Sequence, residues 1–233
     1  DPGVNVQPIP SGTAGSTVTT TVTLSNSGSA TVSFTPVVVV NGVTTTLAPV
    51  TLAPGQTVSS APISVPLTTT GATVTASVTG ASVPDANLGN NSDTETSGAL
   101  FADVTTEVDL PANGVAGSTV SGTVVFTNSA AAGATATAVT GTVSLSNGQV
   151  ITYNVGTLTV GQSVTYTFTT TVPATTGTVL EVTSTVATAT PETNTANNQD
   201  VDNASGNEQL TPLFADPGVN VQPIPSGTAG STV

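Results

Sequence analysis

Nearly all the side chains of this sequence that could do chemistry are oxygen donors. Two stretches concentrate them: Asp85, Asn87, Asn90, Asn91 and Asp93, then Glu192, Asn194, Asn197, Asn198 and Asp200. Carboxylates and amide carbonyls this close together suit Ca²⁺, a hard cation that takes about 6–8 oxygen ligands. The same residue types also hold crossover loops by bonding their own backbone. Each stretch offers only two carboxylates and lacks EF-hand spacing. Two readings therefore stand: Ca²⁺ sites at Asp85, Asn87, Asn90, Asp93 and at Glu192, Asn194, Asn197, Asp200, or self-bonded loops with no cofactor. A third pair, Glu107 and Asp109, shares one face of a strand about 7 Å apart, within the range of glycosidase carboxylates. Any alternating strand with two acids gives this spacing, and the matching positions Asn5 and Gln7 are not acidic, so the pair reads as a solvated face. Tyr153 and Tyr166 are the aromatic candidates for stacking on sugars, and Asn90-Asn91-Ser92 and Asn203-Ala204-Ser205 are glycosylation sequons.

The remaining functional classes fall to composition. The 233 residues contain no Lys, Arg, His, Cys, Met or Trp, and thirteen Asp plus Glu give a formal charge of −13. There is no thiol nucleophile and no imidazole base. No lysine or arginine is present to meet phosphate, which excludes nucleic-acid partners. Disulfides and lysine isopeptide cross-links are equally closed. The chain reads as a non-enzyme. No apolar run approaches the roughly 18 residues of a membrane helix.

The elements that must position the loops follow from repetition. Residues 1–18 recur identically as 216–233, a period of 215 residues. The chain thus reads as one period of a longer repeat array, taken from a longer polypeptide. Within the period, Ala-Gly-Ser-Thr-Val at 14–18 returns at 116–120, Asn26 at Asn128, and Leu-Ala-Pro-Gly-Gln at 52–56 as Leu-Thr-Val-Gly-Gln at 158–162. Pro66 is matched to Pro173. The expected organisation is two homologous domains, 1–102 and 103–215, with 216–233 opening the next copy. Thr and Val dominate, both β-branched. Residues 16–24 and 118–128 alternate in apolar character, as one buried face demands. Asn41-Gly42 and Asn147-Gly148 fit two-residue type I′ hairpins. About seven strands per domain predict an all-β chain of tandem immunoglobulin-like β-sandwiches. Val, Ile, Leu and Ala should form the cores, with Phe34, Phe126, Tyr166 and Phe168 as the large members. Leu100-Phe101 and Leu213-Phe214 occupy one junctional position twice, and read as hydrophobic plugs between successive domains.

The Ala-Gly-Ser-Thr-Val strand openings, Leu52-Ala53-Pro54-Gly55-Gln56, and the run Pro-Glu-Thr-Asn-Thr-Ala-Asn-Asn at 191–198 together resemble the CARDB-like and related conserved-repeat immunoglobulin-like domains of bacterial and archaeal surface proteins. The resemblance covers both domains. It implies a β-sandwich, an extracellular or cell-surface location, a tandem array and no catalytic residues. The expected function is a structural unit of an extracellular filament or surface fibre, with strand exchange between units as one means of assembly. The alternative is an adhesin stalk or carbohydrate-binding module. Expected partners are copies of the chain itself along a fibre, divalent cations drawn to a dense anionic surface, or glycans.

Overall fold

Alternation of apolar and polar residues builds the chain. In Val22–Asn26, and from Val32 to Val38 in the strand Val32–Val40, every second residue is buried, so each strand turns one face to a core. The computed structural model describes residues 1–202 and 209–219. The sequon at Asn203 and residues 220–233 of the expected next copy lie outside the described residues.

The first half contains β1 (Pro2–Val6), β2 (Gly12–Thr13), β3 (Thr17–Thr20), β4 (Val22–Asn26), β5 (Val32–Val40), β6 (Val43–Thr46), β7 (Val50–Leu52), β8 (Thr57–Ser59), β9 (Ile63–Pro66), β10 (Ala72–Thr79), β11 (Ser92–Ser97) and β12 (Ala99–Leu100). One sheet runs β1-β4-β8, extended by the pair β3-β9. The facing sheet runs β11-β10-β5-β6, with β7 also on β5. The second half repeats this with β13 (Val104–Asp109), β14 (Asn113–Val115), β15 (Thr119–Asn128), β16 (Ala136–Leu145), β17 (Val150–Leu158), β18 (Ser163–Thr171), β19 (Val182–Ala187), β20 (Gln199–Asp202) and β21 (Thr211–Leu213). Its sheets are β13-β15-β18 and β17-β16-β19-β20. Counting β3/β4, β6/β7 and β8/β9 as interrupted strands, each half has seven principal strands in two antiparallel sheets, the expected immunoglobulin-like sandwich. A short parallel pair, β12 on β2 and β21 on β14, closes each one. The two hydrophobic cores share no residue.

The two cores solve one volume problem differently. Strand register makes Leu24 the counterpart of Phe126, Phe34 of Val139, and Pro36 of Gly141. The first core keeps its large ring on β5, and the second keeps it on β15. Gly141 makes the room: a Cβ there would run into the Phe126 ring. A second exchange replaces the buried pair Val4 and Ala76 with Thr106 and Ser184, whose hydroxyls bond at 2.8 Å. A hydroxyl pair can enter a core because each satisfies the other.

Three expectations need correction. Asn41 and Gly42 both have positive φ, as type I′ requires, but Asn147 does not share the positive φ of Gly148. The Asn147 side chain instead accepts the Gln149 N–H at 3.0 Å and donates to Thr170 Oγ1, giving a longer turn closed by Gly148. Pro66 is not the counterpart of Pro173. Leu67 and Val172 make the same two backbone bonds, to Gly15 and Ser16 and to Gly117 and Ser118, so Pro66 precedes the shared position while Pro173 follows it. Tyr166 is half-buried at the sandwich margin, packed at a 37° tilt against Tyr153 with centroids 4.7 Å apart.

Gly141→Val should destabilise the chain by about 1–3 kcal/mol through overpacking, read as a lower urea midpoint at unchanged m-value. Adding Phe126→Leu should recover most of that loss.

Candidate functional site

The oxygen-rich loops fold onto themselves and onto the first strand of their own sandwich. Asp85 accepts the Asn87 N–H at 3.1 Å and the Asn91 Nδ2 at 2.8 Å. The Asn87 side chain accepts the Gly89 N–H at 3.1 Å and caps a single 3₁₀ turn, Leu88–Asn90. Asn90 Nδ2 donates to Asp1 at 3.0 Å. The second loop repeats the pattern: Asn198 donates to Glu192, Asn194 accepts from Ala196, and Asn197 donates to Asp103 at 3.0 Å. Asp93 and Asp200 leave the loops. Asp93 accepts the Val6 N–H at 2.7 Å, and Asp200 accepts the Val108 N–H at 2.7 Å. The predicted Ca²⁺ sets are thus each divided between a loop and a strand edge. Among the described residues no three acidic side chains gather closely enough to hold a metal ion. The Oδ1 atoms of Asn90, Asn91, Asn197 and Asn198 are buried and accept no hydrogen bond in the structure.

The strand-edge bonds form a system. β1 and β13 each end a sheet, so their outer N–H groups lack a neighbouring strand. In the second sandwich three carboxylates take these donors: Glu192 at Val104 (2.7 Å), Asp200 at Val108 (2.7 Å) and Asp202 at Leu110 (3.3 Å). In the first, residues 2 and 8 are prolines with no N–H to offer. Only Asp93 on Val6 remains. Glu192 is also one methylene longer than its counterpart Asp85, so it spans both Val104 and Asn198.

Asn26 and Asn128 are residues whose role sequence reading missed. Both are buried, at 1% and 0% exposure. Asn128 Nδ2 donates to Ala134 O and Leu158 O at 3.0 Å, and its Oδ1 accepts the Asp103 N–H at 3.2 Å. Its backbone N–H donates to Gln162, and its carbonyl accepts from Gly161. Asn26 makes the matching amide and backbone bonds with Ala30, Leu52, Gln56 and Gly55, while its Oδ1 accepts the Gly28 N–H at 3.0 Å. The available signal was an asparagine closing both copies of the most regular alternating strand.

The chain passes from one sandwich to the next beside Asn128. Leu100 closes the first: its carbonyl accepts the Ala14 N–H at 2.9 Å. Phe101 belongs to the second: its carbonyl accepts the N–H groups of Gly133 and Ala134, both at 2.9 Å. The Leu100 side chain lies against Gly133, so tightly that a Cβ there would stand 3.2 Å from Cδ2. Leu213 repeats the Leu100 bond with Ala116 at 3.0 Å. Leu213 and Phe214 are 51% and 44% exposed, whereas Leu100 and Phe101 are half-buried.

The other candidates are placed plainly. Glu107 and Asp109 are exposed on the outer face of β13. Tyr153 and Tyr166 lean on Phe126, at centroid distances of 5.7 and 6.1 Å. Burial raises the Tyr153 hydroxyl pKa, and the neighbouring Tyr166 adds to this. Asn90, the acceptor of the first sequon, already donates to Asp1.

Asp200→Ala leaves the Val108 N–H without its acceptor, and should cost about 1–3 kcal/mol in urea unfolding. Asp200→Asn keeps an acceptor oxygen and should lose less. Desolvation pushes the Asp85 carboxyl up, but the group lies below its ordinary value of 3.8 because hydrogen bonds from the Asn91 amide and the Asn87 N–H favour the charged form. A depressed folded pKa means that the stabilisation is complete above the unfolded value and is lost as pH falls through the folded one. The stability gap between wild type and Asp85→Asn should therefore be widest near neutrality and close below pH 3.8, followed by thermal unfolding across a pH series.

No family model and no curated protein matches the chain. Among solved structures it is similar to the CARDB domain of a Pyrococcus furiosus protein in solution, at 18% identity over 49% of this chain and 97% of that one, TM-score 0.41. It is also similar to the crystal structure of that domain in complex with di-metal ions, at 21% identity over 48% and 90%, TM-score 0.40. Red sea bream transglutaminase is similar at 11% identity over 91% of this chain and 31% of that one, TM-score 0.36. The likeness is one of fold, and the CARDB-like resemblance read from the sequence meets it over about half of the chain.

Proposed function

We propose that this chain is one period of an extracellular filament or surface fibre built from tandem immunoglobulin-like sandwiches. The observation that carries this reading is the joint. Leu100 is bonded into one sandwich and Phe101, the next residue, into the other, with no linker between them. A joint clasped by backbone on both sides resists bending, whereas a flexible linker would let domains reorient. Leu213 repeats the clasp and leaves Phe214 exposed in the place of Phe101, just ahead of residues that respell 1–18. Length would then be set by copy number, because each unit touches only its neighbours.

Ca²⁺ enters this reading as a ligand for the undonated amide oxygens of Asn90, Asn91, Asn197 and Asn198 beside the loop carboxylates. An adhesin stalk would use the same architecture. Carbohydrate stacking has less support, because Tyr153 and Tyr166 face each other and Phe126 instead of presenting open ring faces.

Electron microscopy of the native material tests the proposal. Each sandwich spans about 40 Å for strands of 8–10 residues, so filaments should show an axial repeat near 80 Å. Isolated particles of one or two domains, with no filaments at any concentration, would overturn it.

A further inference from the structure

The acids of the first sandwich lie on one side only. Residues 2–84 contain no Asp or Glu, and neither do residues 110–180. In the first sandwich the charges are therefore confined to Asp1, the 85–93 loop and β11. By strand order β11 is one edge of its sheet and β6 is the opposite edge. β1, which packs on β10 and β11, is likewise the opposite edge of its sheet from β8. One margin of the sandwich carries all of its acidic residues, and the other carries none.

The uncharged margin is also the open one. A groove of about 480 Å³ runs between β6 and β9, lined by Val38, Val40, Val43, Leu47, Ile63 and Pro66. All four β6 residues are exposed, Val43 at 69%. The second sandwich fills the matching seam. Tyr153, opposite Gly141, and Tyr166, opposite Val124, stand where the first has Leu47, bonded to Pro36, and Ser60, bonded to Val22. β6 has β5 on one side and no strand on the other among the described residues. It has none of the usual guards of an edge: no charge, no proline and no covering loop.

We infer that β6 and its groove are a lateral pairing surface whose partner is β6 of a second copy of this chain. Strand addition along this edge would supply main-chain hydrogen bonds, and the groove would take up apolar side chains. A second copy is the occupant the charges select. Two chains of −13 repel at every approach that brings acidic margins together, and the β6 margin is an open one where they meet without a carboxylate on either side. A basic partner would instead be drawn to the opposite margin. This pairing is separate from end-to-end joining and holds for single periods.

The test uses the complete 233-residue chain in sedimentation velocity. Wild type should show a monomer–dimer equilibrium that tightens at least about tenfold between about 0.01 M and 0.5 M NaCl, as screening removes the repulsion between acidic margins. Thr44→Asp puts a charge on the edge and should weaken the dimer at least about tenfold. Thr185→Asp, on the exposed face of the central strand β19, should leave it unchanged, and far-UV circular dichroism should be the same for both. The chain has no cysteine, so Thr46→Cys supplies a lone thiol that should cross-link into a disulfide dimer faster than Thr185→Cys. A wild type that stays monomeric at both salts overturns the inference. So does equal weakening by the two Asp variants, or preferential cross-linking through Asn154→Cys on β17.

Discussion

Every carboxylate in this chain must find its hydrogens on neutral donors, because the sequence supplies no Lys, Arg or His. That constraint shapes more of the structure than the hydrophobic pattern alone. Buried and half-buried acids cannot be offset by ion pairs, so they sit where backbone N–H groups would otherwise be left unmet. The outer edge of a first strand is such a place. Asp93 on Val6, and Glu192 and Asp200 on Val104 and Val108, satisfy donor and acceptor together. They also blunt an edge that would otherwise accept foreign strands. Where proline has already removed the donor, at Pro2 and Pro8, the first sandwich has no carboxylate in the matching contact.

The two sandwiches act as controls for each other. Their apolar interiors have been rearranged: a ring has moved between sheets, a glycine has opened to receive it, and a hydroxyl pair has replaced Val4 and Ala76. Several elements of their polar frame have not changed. Asn26 and Asn128 donate to matching carbonyls, the loop asparagines reach the same aspartates, and Leu100 and Leu213 clasp the same turn. The energetics explain the difference. Core packing tolerates exchanges that conserve volume at a cost of about 1.5 kcal/mol or less. A buried amide that loses one partner pays the desolvation of that partner in full.

Sequence periodicity revealed what repeats at short range. The alternation in residues 16–24 and 118–128, the doubled Ala-Gly-Ser-Thr-Val and the 215-residue period all report local geometry or copying, and the strands lie where they indicate. What stayed hidden depends on partners far along the chain. Asn128 looks like a strand-end polar residue until Ala134, Leu158 and Asp103 converge on it. Asn147-Gly148 carries the same dipeptide as Asn41-Gly42, yet a bond from Asn147 to Thr170 selects a different turn. Pro66 and Pro173 look equivalent in sequence, but the pairing register of the first sandwich shifts by one residue between β8 and β9, from Thr23 opposite Ser59 to Thr20 opposite Ile63. The oxygen-rich loops had the composition of a cation site. Whether their side chains converge was decided by first strands about ninety residues away.

The placement of charge changes the meaning of the composition. A chain of −13 with evenly spread acids would keep its copies apart on all sides. Segregated acids permit approach along one margin and oppose it along the other, so repulsion becomes orientational. Each contact through a four-residue edge strand is necessarily small. In an array that repeats it every 215 residues, two neighbouring fibres would make it many times in register, and linked weak contacts multiply instead of adding. The same charges that oppose other approaches would then align long arrays, because they leave the neutral margin of each first sandwich free to meet its like. A polymer without cross-linking chemistry can obtain lateral order this way, from the positions of its carboxylates and an open edge that lacks them.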